Sequence, residues 1–108
     1  MSLKIVFMGT PDFSIPTLKT LLNSNHKILY VYSQPAKKAN RGQKINSTPI
    51  ELFSKENFLK IRTPESLDSE EEFNFLKDLN PDLVIVVAYG KIIPKRFLNI
   101  PKYGFLNV

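Results

Sequence analysis

Leu83-Val84-Ile85-Val86-Val87-Ala88 is an apolar run with no polar break. Successive side chains of a strand point to opposite faces, so a strand with one wet face alternates apolar and polar residues. A strand that is apolar at every position must be covered on both faces. That is the condition of an inner strand of a parallel sheet with helices on each side. At six residues it is the longest apolar run in the chain, far short of the roughly 18 needed to span a membrane.

The rest of the chain reads in the same terms. Leu3 to Met8 is a second short apolar run, stopped by Gly9-Thr10-Pro11, and predicts a buried strand entering a turn. Leu18, Leu21 and Leu22 follow at helical spacing, with Ser14 as the expected N-cap and Pro16 tolerable in the first turn. Ile28 to Tyr32 is rich in β-formers and predicts a second strand. Thr48-Pro49-Ile50-Glu51 has the form of a capping box with proline at the first helical position, opening a helix to about Asn57. A very short strand is expected at Lys60-Ile61, and an acid-started helix over Asp68 to Asp78 with Phe73, Leu76 and Leu79 on its apolar face. Pro94 opens a further helical turn, and Tyr103 to Val108 is a last apolar strand. Strands alternating with helices make the expected fold α/β, a Rossmann-like, doubly wound, mostly parallel sheet. The sequence stops inside the last strand pattern with no covering helix after it, and so reads as cut short on its C-terminal side.

Ser33 to Ser47 lacks periodicity and holds four cations, one proline, one glycine and two asparagines; it reads as a surface loop of about fifteen residues, and loops of that length are usually functional. The charge is segregated around it. No acid lies between Asp12 and Glu51, whereas Lys19, Lys27, Lys37, Lys38, Arg41 and Lys44 do. Nine of the ten acids fall between Glu51 and Asp82, and only cations follow, within a net charge of +5. Such segregation makes a positive face suited to a polyanion, although a solvated lysine-rich surface has the same signature. With no cysteine and one histidine, thiolate metal sites, disulfides and histidine relays are excluded, and no metal is expected. The first residues carry neither the basic start nor the long apolar stretch of a signal peptide, which predicts a cytoplasmic protein.

Ligands of open parallel sheets bind outside the carboxyl ends of the strands. Gly9-Thr10-Pro11-Asp12 lies at one such end, without a dinucleotide or P-loop glycine pattern, and a purely structural turn would have the same residues. Ala88-Tyr89-Gly90-Lys91 lies at another, where glycine serves the turn or lets backbone approach a flat ligand. Lys37, Lys38, Arg41 and Lys44 form either a solvated loop or a phosphate-contacting arm. Phe13 is either a core residue of the first helix or part of the first-strand site. His26 has the position of a capping residue, and Glu70-Glu71-Glu72 that of a helix start and nothing more.

Five segments, in order along the whole chain, together resemble the methionyl-tRNA formyltransferase family. They are Lys4 to Phe13 (KIVFMGTPDF), Gln34-Pro35 with Arg41-Gly42-Gln43-Lys44, Ser47-Thr48-Pro49-Ile50, Leu83 to Pro94 (LVIVVAYGKIIP), and Gly104-Phe105-Leu106-Asn107-Val108. The resemblance implies formyl transfer from 10-formyltetrahydrofolate to the α-amine of methionyl initiator tRNA. It implies that residues 1–108 are the N-terminal part of the catalytic domain, without the C-terminal tRNA-binding domain. Asn107 matches the family's catalytic asparagine. Tyr89, Gly90, Lys91, Ile92 and Ile93 match the folate-binding turn; Gly9, Thr10, Pro11, Asp12 and Phe13 match the region of the methionyl end; Lys37, Lys38, Arg41 and Lys44 match the tRNA-contacting loop. The family's histidine two residues after the asparagine, and its later aspartate, have no counterpart here, so the chain alone is expected to be inactive. Two alternatives stay open: another folate-dependent formyltransferase of the same fold, and a non-catalytic nucleotide- or RNA-binding half-domain.

Overall fold

A computed structural model describes residues 1–39 and 44–108. Its elements run β1 (Lys4–Gly9), a 3-10 turn (Asp12–Ser14), α1 (Ile15–Leu22), β2 (Lys27–Tyr32), β3 (Lys37–Ala39), β4 (Lys44–Asn46), α2 (Pro49–Glu56), β5 (Ile61–Arg62), α3 (Glu70–Leu79), β6 (Leu83–Val87), a second 3-10 turn (Lys95–Asn99) and β7 (Phe105–Asn107). Five strands form one sheet in the order β5-β2-β1-β6-β7, every pair parallel. No helix among the described residues is long and apolar enough to cross a membrane.

The uninterrupted apolar run became β6, inside the sheet between β1 and β7. Its side chains divide between two cores, as the period-2 alternation of a strand requires. Ile85 and Val87 join Ile5, Phe7 and Val31 under α1 and α2, which contribute Leu18 and Ile50. Val84 and Val86 join Val6, Met8 and Tyr32 on the opposite face, where Leu76 of α3, Leu67 and Phe97 close over them. The sheet is thus doubly wound, as expected.

Three local expectations differ. Ser14 does not cap α1: its hydroxyl is buried and donates to the Val87 carbonyl at 2.7 Å, tying the first helix to β6. The capping box at α2 is half made. The Thr48 hydroxyl accepts from the Glu51 amide at 3.1 Å, while the Glu51 carboxylate turns to Lys55 at 3.1 Å. The predicted loop over 33–47 is not structureless, because β3 and β4 pair antiparallel in a hairpin separate from the main sheet. Lys37-Lys38-Ala39 and Lys44-Ile45-Asn46 carry no apolar alternation; main-chain pairing holds this ribbon together, and composition does not register that.

Candidate active site

β1 is followed by β2 on one side of it and, after the excursion through β5, by β6 on the other. The carboxyl ends of β1 and β6 therefore flank the point where the connections diverge, which is where open parallel sheets leave a crevice. Gly9 shows how close the two strands are: a Cβ there would lie 2.8 Å from the Phe7 ring and 2.9 Å from the Val87 carbonyl. Beyond Val87 the chain reverses through Ala88, in the left-handed region at φ 52°, and Gly90, at φ 84°. A non-glycine residue held there stores about 1–3 kcal/mol of strain and persists only when its surroundings dictate it.

The surroundings are a set of hydrogen bonds on one carbonyl. The Thr10 hydroxyl donates to the Tyr89 carbonyl at 2.7 Å, and the Gln34 side-chain amide donates to the same oxygen at 3.1 Å. The Gln34 backbone amide returns to the Thr10 hydroxyl at 3.3 Å. The turns after β1, β2 and β6 are thereby fastened together. Gln34 entered the sequence reading only as part of the Gln34-Pro35 segment of the resemblance, with no role; in the structure a side chain at Gly90 would overlap its amide.

The structure sorts the expected site residues. Gly9, Thr10, Pro11, Asp12 and Phe13 lie at this edge, and Phe13 is 65% exposed, which removes the reading of it as a core residue. Gly90, Lys91 and Ile92 line a cavity of about 460 Å³ with Glu65, Asp68 and Pro94. Tyr89 reaches the site through its carbonyl alone, its ring being 2% exposed in the core, and Ile93 packs on the same core. Asn107, exposed at the end of β7, is in register with Val86 and so reaches the same sheet edge. Lys37, Lys38 and Lys44 fall on the hairpin, and Arg41 lies outside the described residues. His26 stands at the opposite, amino end of the strands, where its Nδ1 accepts from the Leu3 amide at 2.9 Å.

Sequence reasoning missed Glu65 and Asp68, which come from the connection between β5 and α3. Nothing local marks them; the sheet order brings them to the β6 turn. It also understated Glu72, which is 8% exposed and takes two hydrogen bonds from the Arg62 guanidinium at 2.9 and 3.0 Å. That bond holds Arg62 more firmly protonated than usual. The buried phenols of Tyr32 and Tyr89 are pushed well above the ordinary tyrosine range, first by burial and then by the negative charge of Glu72.

A doubly wound parallel sheet with its crevice between the first and a later inner strand, and no glycine-rich phosphate loop, defines a Rossmann-like α/β domain. A family model described as formyl transferase matches residues 3–108, and the chain belongs to that family. It is 53% identical, over its whole length, to 35% of a methionyl-tRNA formyltransferase from Pelagibacter ubique (strain HTCC1062). It is 50% identical over 97% of its length to 32% of the enzyme of that name from Prochlorococcus marinus (strain MIT 9215). A third relative of the same name, from Coxiella burnetii (strain RSA 331 / Henzerling II), is 47% identical to the whole chain, which covers 34% of it. The chain spans about a third of the length of these curated relatives.

Proposed function

We propose that residues 1–108 are the N-terminal part of the catalytic domain of an enzyme that moves a formyl group from 10-formyltetrahydrofolate to the α-amine of methionyl initiator tRNA. The observation that carries this reading is the meeting, at one sheet edge, of the Gly9–Phe13 turn, the Gly90–Ile92 cavity wall and Asn107. Membership of the formyl transferase family and the shared name of the relatives support it. In this reading the folate lies against the Tyr89–Ile93 turn and the methionyl end of the tRNA against Gly9–Phe13. The cations Lys37, Lys38, Arg41 and Lys44 face its phosphates.

The amine, with a pKa near ~8, has a substantial neutral fraction at physiological pH. Its nitrogen attacks the formyl carbon, forming the new C–N bond as the carbonyl pair moves onto oxygen. Collapse of the tetrahedral oxyanion breaks the bond to N10 of the folate, and the proton shed by the amine ends on that nitrogen. The Asn107 amide donates to the oxyanion. His26 is not the base, because it is tied to Leu3 at the far end of the sheet.

The test joins residues 1–108 to the remainder of the Pelagibacter relative and measures formyl transfer to methionyl initiator tRNA. The chimera is expected to be active, the 108-residue chain alone inactive, and Asn107→Ala in the chimera slower by about 100- to 1000-fold, as for loss of one oxyanion donor. A folded, inactive chimera, or one indifferent to the Asn107 change, overturns the assignment.

A further inference from the structure

From the charges around the cavity beside β6, we infer that Glu65 and Asp68 are specificity-determining residues that make the site discriminate against folate donors with long polyglutamate tails. The inference rests on the folate reading above. If the pterin lies against backbone at Lys91–Ile93, the rest of the donor must leave through the open mouth of the cavity. Its apolar wall, Ile92 and Pro94 beside the bare backbone of Gly90, suits the flat benzoyl group. Ile92 is 88% exposed with nothing over it among the described residues, as a platform for such a group would be. Beyond the benzoyl group a folate carries only glutamate, and each added residue brings one more negative charge.

Three charged side chains line the cavity, and two are acidic. Glu65 and Asp68, both exposed, share the lining with half-buried Lys91. Neither acid is engaged in an ion pair among the described residues, whereas the neighbouring acids are: Glu70 with Arg96 at 2.7 Å, Glu71 with Arg62 at 3.6 Å, and Glu72 with Arg62. Arg62 and Arg96 are therefore occupied on the flank of α3. Lys91 can serve one tail carboxylate. Further carboxylates enter a field set by these two acids, with Lys91 the one cation among the described lining residues.

The probes are 10-formyl-5,8-dideazafolate with one and with three glutamates, each titrated by calorimetry at low and high salt into the chimera that joins residues 1–108 to the remainder of the Pelagibacter relative. The triglutamate is expected to bind about two- to fivefold more weakly than the monoglutamate at low salt, the size expected of like charges within one Debye length, with the two converging as salt is raised. In Glu65→Gln/Asp68→Asn the ratio of triglutamate to monoglutamate affinity should rise about two- to fivefold at low salt. Tighter binding of the triglutamate by the unaltered chimera, or a ratio indifferent to the double substitution, overturns this inference and leaves the folate site standing. Failure of both probes to bind a chimera that circular dichroism shows to be folded overturns the folate reading, and this inference with it.

Discussion

The carbonyl and the phenol of Tyr89 belong to different parts of the molecule. The carbonyl is held by Thr10 and Gln34 in the site, and the ring is fixed in the core beside Tyr32 and the Arg62–Glu72 pair. Both phenols ionise less readily folded than unfolded. A raised folded value means that their contribution is fully present below the unfolded tyrosine pKa of about 10 and is lost as pH rises past it. Chemical denaturation followed from pH 8 to pH 11.5 should therefore show stability falling above about pH 10, less steeply in Tyr89→Phe. Glu72→Gln leaves the half-buried Arg62 without its carboxylate and should cost about 1–3 kcal/mol in the same assay. Phe13, exposed at the crevice, is expected to act on substrate and not on stability. In the chimera, Phe13→Ala should raise the KM for methionyl-tRNA much more than that for the folate, with the melting temperature unchanged. Equal effects on both KM values would remove Phe13 from the aminoacyl site. At this scale sequence reading located glycines and turns, because these are tied to strand ends, while Asn107 was singled out by the resemblance and not by its own pattern. It left Phe13 open and missed the weight of Glu72, because both depend on which way one turn of helix faces across the sheet.

At the scale of elements, the hydrophobic period carried most of the information. All five sheet strands and three helices fall where apolar runs, caps and prolines put them, within a residue or two. The hairpin of β3 and β4 was not legible, because its residues are polar and its order comes from pairing across 37–39 and 44–46. That pairing changes the reading of the basic segment from a loop to a two-stranded ribbon that carries Lys37, Lys38 and Lys44 on its strands. Arg41 and Lys44 changed together to Gln in the chimera should weaken tRNA use. They should also reduce the slope of log affinity against log salt by about 0.9 for each phosphate no longer neutralised, with the KM for folate nearly unchanged. An unchanged salt slope would make the ribbon an ordinary solvated surface. The turn after β6 invites a separate check. Ala88 is exposed and left-handed, so Ala88→Gly should stabilise the chain by roughly 0.5–1 kcal/mol if the strain is only conformational. A gain in stability with a loss of folate binding would show that the stiffness of this turn serves the site.

On the scale of the whole molecule, the family and the architecture agree on a parallel sheet whose carboxyl edge carries the candidate site. The alternation of elements made the doubly wound arrangement legible. The companionship of Glu65 and Asp68 with Gly90 was not, since it depends on strand order and not on any local pattern. The all-parallel sheet also decides how the chain reaches this state. No two neighbouring strands of a parallel sheet can be closed by a tight turn, and the local ribbon of β3 with β4 lies outside the sheet. The nearest clasp joins Leu3 to His26 across 23 residues, while the clasp between β1 and β6 joins Lys4 to Asp82 across 78. Loop closure costs about 0.6 kcal/mol more for each doubling of length, and long-range pairings slow folding. The β1–α1–β2 unit is thus the natural nucleus, and β6 arrives late. Leu18→Ala should slow refolding in stopped-flow measurements, whereas Val84→Ala should mainly speed unfolding. During synthesis, half of the crevice takes shape while the strand that completes it has not yet been made.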